Sequence, residues 1–536
     1  LQHLKKKDQQ SWSFFWIKRM KKNLLLYSFF LFFIILSFLN NEHYLPWTTF
    51  DSEIYIFYAI LFVFIIFFGG SSQKIKISTL SFLLFFLLLI SLFHYSYYEF
   101  KQDYFSFNLY LILVLILSVI SRSEDDKLIN FLIFSIFISS VLTSIISLIQ
   151  FLDPQYISIF IRENNSSRYS GNLGQPNHVG TLMLMGFYSC LYIYDKYKFN
   201  IIFISIPLLI VGMVLTQSRT VWVAVFISLV FLVLKWKYIN KEMKISILSL
   251  PIIYVSINKL LKIFTTSGVD ASQRVQIDAA RINLWHDFLI TIPEFNIFGI
   301  GFKNIEYYHF INGEKFSYNI SSYHNIIMDM YAIFGVLGLI FCFYFLIKIA
   351  NILLRLEETL DFIIYMMLVV IINHAMFEFP LYYGYFLLPL IVIFNYLNKK
   401  YSIYSFDKIK INKNILSICF LFFLGVSIKY IKLYEENRMS YRSASLGYCV
   451  KNKSSNIIFD NFENLGFINC KENINIKNLE FFEKGFLNTP TLANIKKLIY
   501  VYHALGLFEK RDQLLIHLNK RYRLSLTVND IAAMKY

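Results

Sequence analysis

The chain of 536 residues is 57% hydrophobic and 19% aromatic, with a mean hydropathy of +0.52 and a formal net charge of +16. Soluble globular chains lie near ~45–50% apolar, whereas many apolar runs here reach the ~17–25 residues that a bilayer-spanning helix needs. Lipid admits only helices or closed barrels, and continuous runs are not the short alternating strands of a barrel, so composition excludes a soluble enzyme and a barrel together.

In chain order, the basic segment 1–22 comes first, with Lys5, Lys6, Lys7, Lys18, Arg19, Lys21 and Lys22, and is expected on the cytoplasmic side. Thirteen spans are predicted after it: 23–39, 54–70, 78–94, 107–121, 129–151, 179–195, 200–216, 220–235, 245–262, 325–350, 361–377, 382–397 and 414–431. The first lacks a small-residue cleavage site and reads as a retained helix rather than a cleavable signal. Alternation assigns the short loops 71–77, 121–127, 195–200, 235–244, 354–361 and 398–414 to the cytoplasm. Several are lysine-rich, which is the positive-inside pattern rather than a nucleic-acid patch; the loop with Glu124, Asp125 and Asp126 fits it least.

The opposite face receives the long loops 40–53, 95–106, 152–178 and 263–324, and the segment 432–536. In that last segment, aromatic and leucine residues at helical spacing over 493–506 predict a small helical domain of repeat-like character. The expected fold class is all-α: a polytopic membrane protein of about 13 transmembrane helices, with a transmembrane domain over 23–431, a large outer loop over 263–324 and a C-terminal helical domain over 432–536. Cys190, Cys342 and Cys419 lie in apolar runs and read as inert. Cys449 and Cys470 could pair in an oxidising compartment.

The unusual polar words all fall on the outer face: His43 to Trp47, Gly171 to His178, Gln217-Ser218-Arg219, Arg281 to Trp285, Tyr323-His324-Asn325 and Phe377 to Tyr383. Interfacial anchoring accounts for Trp47, Tyr382 and Tyr383 equally well. Arg219 is harder to dismiss. It separates two predicted spans with almost no loop, and an arginine at the bilayer centre costs ~2.5–3.5 kcal/mol on insertion scales. With Arg281 it would supply planar forks of donors suited to phosphate oxygens. His324 heads an apolar run and can take a proton near neutral pH. The loop Gly171–His178 offers Asn172, Gln175, Asn177 and His178 to a polar ligand, or is simply a re-entry turn. Glu378, at an outer helix end, is a second candidate base. No nucleotide-binding loop, dinucleotide fingerprint or metal-ligand spacing is present, so no cofactor and no metal are expected. An enzyme on the outer face has no ATP and needs a substrate that carries its own activation.

His324-Asn325, nine residues, Gly335, two residues, Gly338 resembles the signature of the O-antigen ligase and Wzy-type polymerase superfamily of membrane glycosyltransferases. Three further words resemble the bacterial protein O-oligosaccharyltransferases of the PglL type that glycosylate pilins: Gly171 to His178, His43 to Trp47 followed by Glu53, and His374 to Phe386. The resemblance covers roughly 40–390. Gly180 and Met376 depart from their words, and the C-terminal segment matches none closely. The resemblance implies an inner-membrane enzyme, metal-independent and inverting, whose active site faces the periplasm. It would move a glycan from undecaprenyl diphosphate to serine or threonine of a pilin-like acceptor, as a monomer without nucleic-acid partners. It also implies a catalytic role for His324 and diphosphate contacts for Arg219 and Arg281, with Asn172, Gln175, Asn177, His178, Asn325, Glu378 and Tyr382 as candidates for glycan or acceptor. Ligation of O-antigen to lipid A–core, and polymerisation of glycan repeats, are the same chemistry on other acceptors. A lipid-linked sugar transporter is the rival of another class, although no repeat of spans marks it. A scaffold whose outer segment binds partners is a third reading.

Overall fold

The computed structural model describes residues 24–45, 47–69, 79–97, 104–123, 126–164, 168–264, 281–290, 297–302, 304–312, 320–401, 413–446, 448–449 and 466–533. The basic N-terminal segment 1–22, the loop 71–77 and most of the loop 398–414 lie outside them, as does much of 263–324. Among the described residues the regular structure is helical, apart from one isolated antiparallel bridge between Ser158 and Ile161.

The helices are α1 (Leu24–Leu39), α2 (Phe50–Gly69), α3 (Thr79–Tyr97), α4 (Tyr104–Ser123), α5 (Asp126–Leu152), α6 (Pro176–Tyr197), α7 (Ser205–Thr216), α8 (Arg219–Leu234), α9 (Lys241–Phe264), α10 (281–290), α11 (Asn304–Ile311), α12 (Ile326–Arg355), α13 (Thr359–Ala375), α14 (Gly384–Tyr401), α15 (Lys413–Ser445), α16 (Leu479–Asn488), α17 (Leu492–Ala504), α18 (Phe508–Tyr522) and α19 (Val528–Ala532). Each segment predicted to span coincides with a helix to within a few residues, except that α15 runs well past 431. By length and composition, four of the described helices are apolar enough to cross a membrane: Phe50–Phe67, Asp126–Leu152, Lys241–Leu261 and Ile326–Arg355. Shorter apolar helices accompany them, and the chain is a multi-pass membrane protein.

Helices α6 and α13 form the centre. Every residue of α6 from Asn177 to Ile193 is buried, as is nearly all of α13; a helix apolar all round is one wrapped by others. Small residues set the spacing of the bundle, as is usual where helices meet in lipid. A Cβ on Gly186 would strike Ser140 of α5, one on Gly212 of α7 would strike Ser144, and one on Gly180 would strike Val221 of α8. The unusual glycine at 180 thus admits α8, and α8 begins at Arg219.

The C-terminal helices pack around a core of Phe467, Ile468, Phe482, Phe486, Leu498 and Val501. A second cluster there, Ile495, Ile499, Leu515, Leu518 and Ile531, takes in Phe310 of α11. Cys449 and Cys470 are joined by a disulfide.

Candidate active site

The site grows from a break in α12. Gly335 has φ +63° and ψ −145° inside the helix, a region essentially restricted to glycine. The hydrogen bonds lost at the break are made to the segment 297–301 instead. Ile300 N–H donates to the Ala332 carbonyl (2.7 Å), Gly301 N–H to Ile333 (3.2 Å), and Val336 N–H to Ile297 (2.9 Å). A Cβ on Gly335 would lie 1.9 Å from the Ile297 oxygen, and one on Gly338 would lie 2.0 Å from the Met330 oxygen. The two glycines of the signature are therefore what lets α12 bend over a crossing strand of backbone.

At the head of α12, Asn325 is the N-cap. Its Oδ1 accepts from Ile327 N–H (3.0 Å) and its Nδ2 donates to the Met376 carbonyl (3.1 Å), tying α12 to the end of α13. One residue earlier, His324 adopts φ +53°, uncommon for a residue with a side chain though less so for histidine. Asp329, the only carboxylate in α12 and 1% exposed, holds this turn. It accepts from Ser322 Oγ and Tyr323 N–H, both at 2.7 Å, and Ser322 Oγ in turn accepts from His324 N–H (3.0 Å). Trp285 Nε1 donates to the Tyr323 carbonyl (3.0 Å).

The turn points His324 at Glu378. Nδ1 lies 2.8 Å from Glu378 Oε2, with the histidine side chain 32% exposed and the glutamate 7%. The other oxygen, Oε1, accepts from Arg281 Nη2 and from Asn177 Nδ2 (3.2 Å). Burial alone would raise the Glu378 carboxyl, but the hydrogen bond with His324 and the Arg281 guanidinium outweigh it and hold the group below its ordinary range. An ionised carboxylate only accepts, so His324 Nδ1 donates to it, leaving Nε2 as the ring nitrogen that Glu378 does not engage. This is the arrangement in which a carboxylate orients a histidine for proton transfer.

Asn177 Oδ1 accepts from Ser218 Oγ (2.9 Å) and from Arg168 Nη2 (3.0 Å). Arg219 follows Ser218 as the exposed first residue of α8. His178, buried, pairs through Nδ1 with the Tyr385 hydroxyl (2.9 Å) and faces the edge of Tyr383. A cavity of about 510 Å³ opens between α2, α4 and α14. Glu53, Tyr110, Ser322, Phe379, Tyr382 and Tyr383 stand in its wall, and the Phe379 ring packs edge-on against His324 at 5.1 Å.

The structure thus brings His324, Arg281, Glu378 and Asn177 into one bonded cluster, with Arg219 and Tyr382 at its margins. Other residues of the predicted loop are engaged in building it. Asn172 donates to the Leu39 and Phe160 carbonyls, both at 2.7 Å, and accepts from Arg162 N–H. Gln175 caps α6 by accepting from His178 N–H. Sequence reasoning missed Asp329 and Arg168, and it named Ser218 only as part of the word Gln217-Ser218-Arg219. Asp329 had a readable signal, a lone acid one turn into an apolar run; Arg168 had none.

Residues 204–343 match the O-Antigen ligase family, and residues 363–523 match the C-terminal region of the virulence factor membrane-bound polymerase family. Two proteins of Acinetobacter baylyi are similar along most of their length. A general O-oligosaccharyltransferase is 24% identical over 538 residues, covering 93% of this chain and 92% of that protein. A ComP-specific O-oligosaccharyltransferase is 25% identical over 458 residues, covering 80% and 81%. The first match contains Arg219, Arg281, His324 and the kink glycines, and the second contains Glu378. The chain thus matches the O-antigen ligase family over 204–343 and is similar along most of its length to two bacterial O-oligosaccharyltransferases, in line with its signature words.

Proposed function

We propose that this protein is a protein O-oligosaccharyltransferase that moves a glycan en bloc from a lipid diphosphate, undecaprenyl diphosphate, to serine or threonine of a periplasmic, pilin-like acceptor. The observation that carries the reading is the cluster in which Glu378 joins His324 to Arg281. His324 Nε2 takes the proton from the acceptor hydroxyl as its oxygen bonds to the anomeric carbon. The bond from that carbon to the diphosphate oxygen breaks, and the electron pair leaves on the diphosphate. Direct displacement inverts the anomeric centre, and a phosphate leaving group needs no protonating acid.

Arg281 spends one of its five N–H donors on Glu378 and has others for phosphate oxygens. Arg219 sits on the N-terminus of α8, where no side chain caps the helix. A cation is disfavoured there by the helix dipole but an anion is favoured, so a bound diphosphate would suit both. Electrostatic stabilisation of the leaving group is the main catalytic term in this scheme, with base catalysis adding ~10²–10⁴-fold. The cysteine pair fits an oxidising compartment outside the inner membrane.

The test is co-expression with a lipid-linked glycan pathway and candidate pilins, with mass spectrometry of the acceptor. Wild type should add the intact glycan to a hydroxyl, while His324→Ala, folded and membrane-inserted, should add none. Full transfer by His324→Ala overturns the assignment. Glycan found on lipid A–core or in longer glycan chains, with none on protein, would move the acceptor to one of the alternatives. Movement of the lipid-linked glycan across the membrane without any transfer would make the protein a transporter.

A further inference from the structure

The C-terminal helices do not stand apart from the reaction centre. Phe310 of α11 is fully buried, but its ring sits in the core of the C-terminal domain with Ile495, Ile499, Leu515 and Leu518. On α18, His517 Nε2 donates to the Phe310 carbonyl (2.7 Å), and the two rings meet edge to face at 4.8 Å. The neighbouring residue, His309, is also fully buried and pairs through Nε2 with the Tyr323 hydroxyl (2.9 Å). Tyr323 precedes His324 and is held by Asp329 at its N–H and by Trp285 at its carbonyl. A continuous line of contacts therefore runs from α18 through Phe310, His309 and Tyr323 to His324.

That line matters because the His324 turn does not hold itself. A non-glycine residue at positive φ costs about 1–3 kcal/mol and persists only where its surroundings over-determine it. Asp329 restrains the turn from within α12, and the Tyr323 ring and hydroxyl restrain it from α11. Helix α11 is short and is seated by its buried side chains: Ile305 packs in one cluster with Tyr323, and Phe310 is its anchor in the C-terminal core.

We propose that the C-terminal domain is a positioning strut for the reaction centre: α18, through His517 and Phe310, seats α11, and α11, through His309, seats Tyr323 and the turn that presents His324 to Glu378. His517, Phe310, His309 and Tyr323 are positioning residues in this scheme, and none touches substrate. The role rests on the proposed transfer reaction for its activity readout and on the geometry alone for its structural one.

The test uses the full-length protein in membranes. His517→Ala removes the donor to Phe310, His517→Gln retains one, and Tyr323→Phe removes only the hydroxyl that meets His309. His517→Ala should lower kcat for glycan transfer at least ~10-fold, since ångström-scale misplacement of a catalytic group can cost ~10²-fold. KM for donor and acceptor should not change, and His517→Gln should recover most of the rate. Tyr323→Phe should show the same pattern, and the double variant His517→Ala/Tyr323→Phe should be no worse than the poorer single, because both cut one line. Amide hydrogen exchange should show faster exchange at 320–325 in His517→Ala, a readout that stands even if the transfer assay fails. Wild-type kcat with unchanged exchange in His517→Ala overturns the strut. A change confined to the acceptor KM overturns it too, and makes the domain an acceptor-binding module. Additive losses in the double variant overturn the single line of contacts.

Discussion

Glu378 decides what His324 can do. A histidine alone at a helix mouth could position a hydroxyl or deprotonate it; with Nδ1 donating to the buried Glu378 carboxylate, Nε2 is the nitrogen that the proposed reaction uses as its base. Glu378→Gln should therefore lose most of the transfer rate while leaving the protein folded, as measured by turnover in membranes. The same residue predicts a pH effect on stability. Its carboxyl is held below the ordinary value in the folded state, so its contribution is fully present above the ordinary carboxylate range and is lost as pH falls through the lower folded value. Acid should thus lower the melting temperature of wild type more steeply than that of Glu378→Gln; parallel profiles would contradict the pairing. At the arginines, a point charge cannot replace a bidentate fork, so Arg219→Lys and Arg281→Lys should each already impair transfer. Wild-type turnover in both would remove the diphosphate assignment.

At the scale of the element, α12 is the part whose behaviour a helical pattern could not foretell. Hydropathy over 325–350 predicts one straight span, and the apolar count is right. The break at Gly335 is invisible to it, because periodicity records side chains and the break is a matter of backbone. The signature glycines were legible as a motif, but their purpose required the segment 297–301, far away in sequence. Gly335→Ala combines a forbidden conformation with a Cβ inside contact distance of a carbonyl. It should destabilise the protein by ~3 kcal/mol or more, read as a lower melting temperature in detergent with loss of transfer. An unchanged melting temperature would mean that α12 straightens without cost. Asp329 shows the same division: a lone acid in an apolar run is a readable signal that the sequence reading passed over, and its partners Ser322 and Tyr323, on the other side of the turn, could not be paired by spacing.

For the whole molecule, the Cys449–Cys470 disulfide ties the chain just after α15 to the C-terminal core of 466–533. Closing a loop of about twenty residues contributes ~3 kcal/mol in the chain-entropy picture. Alkylation of the denatured protein should label these two cysteines only after reduction, whereas Cys190 and Cys342 are free thiols. Labelling without reductant would contradict an oxidising location.

The sequence by itself determined the solvent. Long apolar runs leave a chain no choice but membrane helices, since lipid satisfies no backbone hydrogen bonds, and the predicted spans fall on helices to within a few residues, α15 excepted. It also determined which polar residues were worth asking about, because charge is costly beside lipid: His324, Arg219, Arg281, Asn177 and Glu378 were conspicuous for that reason. Only the tertiary structure decided which of them meet. Glu378 binds His324 and Arg281 across 54 and 97 residues of chain, and Phe310 finds the core of a domain some 200 residues on. Hydrophobicity acts on each segment alone, so it can be read along the chain. Hydrogen-bond partnership depends on where helices pack, and that is settled only when small residues such as Gly180, Gly186 and Gly335 let them approach.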